Sequence, residues 1–168
     1  GVQRTRHKVS GPLTPDVRQQ DMNYDKYSGQ ICFTDGAICY QSACINWTIA
    51  LSGVKLIGEY TTANGPHIDD YFIVFMTSAE NGWHEASFYA KGRDETLALI
   101  SRNLGNPIEP ALCNLTDYKT RIMWPPDIMD QPLMTIIPKR TWYGRLWAQI
   151  TGTNNITLSE QAKSVFIK

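Results

Sequence analysis

The sequence predicts an α+β fold, in which an antiparallel sheet or partly open β-barrel of about six strands is capped by one amphipathic helix. Two observations favour it. Runs of β-forming residues separated by turn residues follow one another from residue 31 to residue 90, and a single helical pattern at about residues 94–104 comes after them. Further short strands are expected C-terminal to the helix. A β-sandwich with one helix is the alternative arrangement.

The first element is a β-hairpin. The stretch "ICFTDGAICYQ" contains two β-rich runs, which are separated only by Asp35-Gly36. Both turn residues tolerate positive φ, so the spacing predicts a tight two-residue turn. The runs "INWTIAL" and "VKLIGEY" continue the strand pattern after it.

The most apolar run, "DYFIVFM", is typical of a central strand that is buried on both faces, and "WHEASFYA" is its expected partner across the turn "SAENG". His84 and Glu85 are neighbours on this partner strand. Because side chains alternate along a strand, they are expected on opposite faces of the sheet.

The stretch "RDETLALISRNLGNP" has helical periodicity instead. Asp94 is the expected N-cap, and Leu97, Ile100 and Leu104 form one apolar stripe. Gly105 is expected to end the helix. We therefore predict that Leu97 and Ile100 face the core, since the helix has no second apolar face.

The remaining chain divides less clearly. Residues 1–27 are predicted to be an extended polar arm, and residues 28–168 a single domain with a core at about 31–105 and an extension at about 106–168. "KTRIMWPP", "LMTIIP" and "WYGRLWAQITG" predict short strands in the extension. The stretch "LSEQAKSVFIK" fits either a helix or a strand.

The order of elements between residues 31 and 104 resembles that of pleckstrin-homology-like domains, particularly the bacterial and GRAM-type members, in which a final helix plugs a curved sheet. The resemblance lies in the layout of elements, and it implies a binding module. Phosphoinositide binders of that family have a basic first hairpin loop. This chain has Thr34-Asp35-Gly36 there, so phosphoinositide recognition is not implied.

Composition and motifs exclude several classes of function. Sixteen basic residues balance sixteen acidic ones, which disfavours unspecific binding to nucleic acid. The longest apolar run is Tyr71 to Met76, far short of the roughly 18 to 20 residues of a membrane-spanning helix. No Walker loop, nucleophile elbow, zincin motif or dinucleotide fingerprint is present, and no cofactor is expected.

The cysteines do not decide between a cytoplasmic and a secreted or periplasmic protein. None of the four lies in a C-x-x-C pair, so a structural zinc site is not expected; they are Cys32, Cys39, Cys44 and Cys113. We interpret them as reduced, half-buried residues of a cytoplasmic protein. The alternative is a secreted or periplasmic, disulfide-bonded interaction protein, to which three glycosylation sequons would belong, at Asn46, Asn114 and Asn155.

The stretch "NGPHIDDYF" is one candidate site. A strand that begins at about His67 would place His67 and Asp69 on one face and Asp70 on the other, with Glu59 on the neighbouring strand. A trio of Glu59, His67 and Asp69 would suit a metal-dependent hydrolase or nuclease, which is an alternative hypothesis. The simpler interpretation is a solvated strand end, where an aspartate accepts hydrogen bonds from backbone amides.

A second candidate is an aromatic C-terminal segment, with Trp142, Tyr143, Arg145 and Trp147 as its residues. Aromatic residues and arginine are enriched in binding surfaces, although the same residues could fill a core. The leading hypothesis is a non-catalytic module that binds another protein or a small ligand. The sequence does not predict an oligomeric state.

Overall fold

The structure, a computed structural model, describes residues 28–62, 69–79, 82–113, 117–137 and 155–167. The expected arm, His67 and the aromatic C-terminal segment lie outside the described residues. Within these ranges the chain forms antiparallel sheets and helices, as an α+β fold does, and the sheets do not close into a barrel. No helix among the described residues is long and apolar enough to cross a membrane.

The first sheet is a hairpin to which a third strand is added. Its strands lie in the order β1 (Gln30–Thr34), β2 (Ala37–Gln41) and β3 (Asn46–Ala50). Thr34 pairs directly with Ala37, and the two residues between them have positive φ values, 51° at Asp35 and 78° at Gly36. Positive φ at both central residues is typical of a type I′ turn. The predicted two-residue turn is therefore confirmed.

Replacing Gly36 with valine is expected to lower the free energy of unfolding by about 1–3 kcal/mol, because a β-branched side chain resists the positive φ of the turn. A Cβ atom added at Gly36 meets nothing within 4 Å, so crowding does not contribute. Gly53→Val is the matched control, since a Cβ atom there also meets nothing within 4 Å and the φ of Gly53 is not positive. Urea denaturation measures both variants, and equal losses would contradict the prediction.

The second sheet contains the buried centre of the fold. Its strands lie in the order β6 (Trp83–Ser87), β5 (Tyr71–Thr77), β4 (Val54–Thr61) and β7 (Lys119–Trp124), all antiparallel. As predicted, β5 is central and buried on both faces, and β6 is its partner. The predicted strand in "KTRIMWPP" is β7, which pairs with β4.

The predicted helix is confirmed as α1 (Arg93–Leu104), which begins one residue earlier than expected. Asp94 as N-cap is wrong. Gly92 occupies that position with φ 81°, and its carbonyl accepts a hydrogen bond from the amide of Thr96 at 3.0 Å, while Asp94 forms an ion pair with Arg93 at 2.7 Å. Gly105 ends the helix in the left-handed conformation, as expected.

The C-terminal elements are short. They are β8 (Met134–Ile137), β9 (Asn155–Leu158) and α2 (Glu160–Ile167), and β8 pairs with β9. The stretch "LSEQAKSVFIK", whose sequence fits either a helix or a strand, is mostly helical. Ser159 is the N-cap of this helix. The hydroxyl of Ser159 accepts a hydrogen bond from the amide of Ala162 at 3.1 Å.

Two apolar cores lie on opposite faces of the second sheet. The first core contains Leu97 and Ile100 of α1, which are 4% and 0% exposed, so the prediction that they face the core is confirmed. It also takes side chains from the first sheet. The second core joins the other face to the C-terminal elements through Leu133 and Ala162. Because side chains alternate between the two faces of a strand, β4 and β5 each contribute residues to both cores.

Candidate functional site

Glu59 lies near the end of β4 and is completely buried. Its Oε1 atom accepts hydrogen bonds from Nε of Arg121 at 2.6 Å and from the backbone amide of Ala111 at 3.1 Å. Its Oε2 atom accepts a hydrogen bond from the hydroxyl of Tyr71. A buried carboxylate needs such donors and a cation to offset its lost hydration. We call these four residues the Glu59 network.

Arg121 extends this network to two further residues. Its Nη1 atom lies 2.6 Å from a carboxylate oxygen of Asp130, and its Nη2 atom donates to the carbonyl of Glu109. Burial, reinforced by the neighbouring Glu59, raises the pKa of Tyr71, so its hydroxyl stays protonated as a donor. The network links β4, β5 and β7 to the segment after α1. Protein groups therefore already contact both carboxylate oxygens of Glu59, as expected of an anchor of the sheet.

Asp69 and Asp70 precede β5, which begins at Tyr71, so the expectation that these two aspartates lie within the strand is wrong. The amide of Thr62 donates to the carbonyl of Asp70 at 2.7 Å, and no further pair follows in the described ladder. The described pairing between β4 and β5 therefore ends where these two aspartates begin.

Asp69 is a half-buried carboxylate with an unusual environment. Burial raises its pKa, as do the charges of Asp70 and Glu85, and these effects outweigh the hydrogen bonds from Ser87 and the Tyr71 amide. Its Oδ1 atom is buried without a hydrogen-bond partner. The ionised form of Asp69 therefore carries an unfavourable free energy in the folded protein.

Asp69→Asn is expected to be more stable than the wild type at neutral pH, because the amide avoids burying that charge. A carboxyl with a raised pKa binds its proton more tightly in the folded state, so its contribution to stability falls as pH rises above the ordinary value of 3.8. The advantage of the variant should grow with pH and vanish in acid, where both side chains are neutral. Urea denaturation between about pH 3 and pH 7 measures it, and a difference that is constant over this range would contradict the prediction.

The second sheet carries an aromatic patch beside its second core. The patch consists of Tyr60, Phe72, Trp83 and Glu85, which strand register places on one face of β4, β5 and β6. Oε2 of Glu85 accepts hydrogen bonds from the hydroxyl of Tyr60 at 2.9 Å and from Nε1 of Trp83 at 3.1 Å. The rings of Tyr60 and Phe72 stack with their centroids 5.1 Å apart.

This patch is open to solvent at the edge strand β6. Trp83 is 37% exposed, and the other three residues are half-buried. His84 points to the opposite face, where its ring lies 5.5 Å from that of Trp47, so the predicted separation of His84 and Glu85 is confirmed. Burial lowers the pKa of His84, which favours its neutral form.

The sequence-derived candidates are brought together only in part. Asp69 lies close enough to both Asp70 and Glu85 for their charges to raise its pKa. The carboxylate of Glu59 has a separate set of partners. The described residues contain no cluster of three or more potential metal ligands. The other candidates lie outside the described residues, namely His67, Trp142, Tyr143, Arg145 and Trp147, so the metal-site hypothesis stays a prediction.

All four cysteines carry free thiols. Only Cys39 is half-buried, whereas Cys32, Cys44 and Cys113 are exposed, so the expected half-buried position is wrong for these three. In β1 and β2 the reason is alternation, because the core takes the neighbouring residues Ile31 and Ile38.

The aromatic patch was missed by sequence reasoning, although the alternation of Trp83 and Glu85 along β6 was visible. Comparisons with known protein families, curated proteins and solved structures found no match.

Proposed function

We propose that the chain is a non-catalytic binding module of pleckstrin-homology-like layout, and that it binds a basic segment of another protein through the aromatic patch. The layout is supported by the six antiparallel strands β1 to β6, which are followed directly by α1. The apolar stripe of α1 packs into the core shared by the two sheets. A sheet held rigid in this way offers a fixed surface for a partner.

The observation that carries the proposal is the carboxylate of Glu85 between two aromatic donors. Tyr60 and Trp83 both donate to its Oε2 atom, which fixes the two rings beside a negative charge. Burial, with Glu85 nearby, raises the pKa of Tyr60, so its hydroxyl stays protonated as a donor. Aromatic ring faces and carboxylates both attract ammonium and guanidinium groups. A lysine or arginine side chain of the partner therefore fits this patch.

Neighbouring charges strengthen the preference for a cation. Asp69 lies close enough to Glu85 for the charge of Glu85 to raise its pKa, and the charge of Asp70 acts on it in the same direction. The chain uses the same chemistry internally, since the guanidinium of Arg93 lies 3.8 Å from the ring centroid of Phe88 and forms an ion pair with Asp94. Exposed tryptophan and tyrosine are also the residues most often found at the energetic centre of interfaces.

Selection from a random peptide library on the immobilised wild-type protein tests the proposal. Enriched peptides are expected to contain lysine or arginine. Their affinity should fall about tenfold or more for Trp83→Ala, which corresponds to at least about 1.4 kcal/mol. Glu85→Gln should weaken binding as well, because it removes the charge and keeps the shape of the side chain.

Met129→Ala is the matched control, because Met129 is 42% exposed, close to the 37% of Trp83, and lies outside the patch. Its affinity for the same peptides should equal that of the wild type. Enrichment without basic residues, or equal binding by Trp83→Ala, would contradict the proposal. Thermal melting of each variant separates a loss of binding from a loss of folding.

A further inference from the structure

Cys32 and Cys39 lie directly opposite each other on β1 and β2. Both side chains point away from the first core, into which their neighbours Ile31 and Ile38 are packed. Cys32 is exposed and Cys39 is half-exposed, so both thiols are accessible to a small reagent. Neither belongs to the aromatic patch, so the chemistry of the two thiols does not depend on the function proposed for that patch.

The register of the hairpin sets the distance between the two residues. Thr34 and Ala37 flank the two-residue turn as a hydrogen-bonded pair, and pair types alternate along an antiparallel ladder, so Cys32 and Cys39 are again a hydrogen-bonded pair. The Cα atoms of such a pair are about 5.5 Å apart, within the range of about 4.4–6.8 Å found in disulfides. Their Cβ atoms, at about 4.5–5.5 Å, are slightly too far apart, so a disulfide here draws the strands together and is easily reduced.

The two thiols also line a cavity at the first sheet, together with residues of all three of its strands. Its volume is 310 Å³, and its wall includes Gln30, Gln41 and Thr48 beside the cysteines. All its lining residues are uncharged. Volumes of this size accept small molecules, and the neutral wall favours an uncharged one.

The geometry points to a thiol–disulfide exchange site, formed by Cys32 and Cys39, that takes small uncharged disulfides as substrates. The thiolate of the more exposed Cys32 attacks one sulfur of the substrate, whose S–S bond breaks, and the first product leaves as a thiol. The thiolate of Cys39 then attacks the sulfur of Cys32 in the mixed disulfide and releases the second thiol. The two protons of the protein thiols go to the two products. The substrate is reduced, and the cysteine pair is oxidised. Because the Cys32–Cys39 bond is easily reduced, the reaction runs in this direction when the substrate disulfide is in excess.

Incubation of the native protein with hydroxyethyl disulfide tests this inference. Non-reducing peptide mass spectrometry after alkylation of the remaining thiols is expected to find a Cys32–Cys39 linkage, with Cys44 and Cys113 still free to be alkylated. Dithiothreitol should restore four thiols. Phenylarsine oxide, which condenses with two adjacent thiols and releases water, should form one adduct per chain on the same pair.

Serine variants assign the steps. Cys39→Ser should accumulate the mixed disulfide on Cys32, and Cys32→Ser should accumulate it more slowly on Cys39. Cys44→Ser, the matched exposed control, should still form the internal bond, and thermal melting verifies that each variant is folded. Stable mixed disulfides on the wild type without an internal bond would overturn the inference. A disulfide to Cys44 or Cys113 would also overturn it. The same holds if phenylarsine oxide binds Cys32 and Cys39 but hydroxyethyl disulfide does not oxidise them.

Discussion

Replacing Arg121 with methionine is expected to lower the free energy of unfolding by about 3–5 kcal/mol, because it leaves a buried carboxylate without its cation. Glu59 has no exposed side-chain surface, and Arg121 contacts it at 2.6 Å while being only 18% exposed. The remaining donors, Tyr71 and the amide of Ala111, are neutral and do not balance the charge. Urea denaturation at neutral pH measures the loss.

Asp130→Asn is the matched control, because it removes the other carboxylate that contacts Arg121. That side chain is 65% exposed, so its loss is expected to cost less than about 1 kcal/mol. The double variant Glu59→Gln with Arg121→Met should recover part of the loss, since no buried charge is left unpaired. A loss for Arg121→Met as small as that of the control would contradict the structural role of the Glu59 network.

Ile100→Ala is expected to cost about 2–5 kcal/mol, because it removes buried methyl groups and leaves a cavity between α1 and the sheets. Ile100 is 0% exposed in the first core. The helix is also attached directly to β1, where the hydroxyl of Thr96 donates to the carbonyl of Ile31 at 3.2 Å. The helix therefore has little freedom to collapse into the cavity.

Arg102→Ala on the exposed side of the same helix is the control, with an expected change below about 1 kcal/mol. Thermal or urea unfolding of the two variants compares them under identical conditions. A cost of less than about 0.5 kcal/mol for Ile100→Ala would mean that α1 is not packed on the sheets.

Elements with strong local signals could be predicted from the sequence. Asp35-Gly36 suits a type I′ turn by its own conformational preferences, and the stripe of Leu97 and Ile100 has to be buried by the helix that carries it. The prediction of Asp94 as the N-cap was wrong because Gly92 occupies that position. The carbonyl of Gly92 accepts the first helical bond, and Asp94 pairs with Arg93 instead.

The pairing of distant segments could not be predicted in the same way. Glu59 and Arg121 are 62 positions apart, and no local pattern connects them. Glu59 therefore suggested a ligand on a strand, whereas the structure gives it internal partners. The aromatic patch could not be predicted for the same reason. Tyr60 and Glu85 are 25 positions apart in the sequence, and they meet only because β4, β5 and β6 lie side by side in the sheet. Asp69 and Asp70 were noticed for their charge, and the structure adds that the charge of Glu85 acts on Asp69.

The indole N–H resonance of Trp83 reports on peptide binding at the aromatic patch, because this group donates to Glu85 within the proposed binding surface. The resonance is assigned by its disappearance in Trp83→Phe and is followed by NMR while a short lysine-rich peptide is added. The resonance is expected to shift saturably as peptide is added, and this shift should be lost in Glu85→Gln. Peptide binding that leaves the Trp83 resonance unmoved, or no binding at all, would contradict the proposed function.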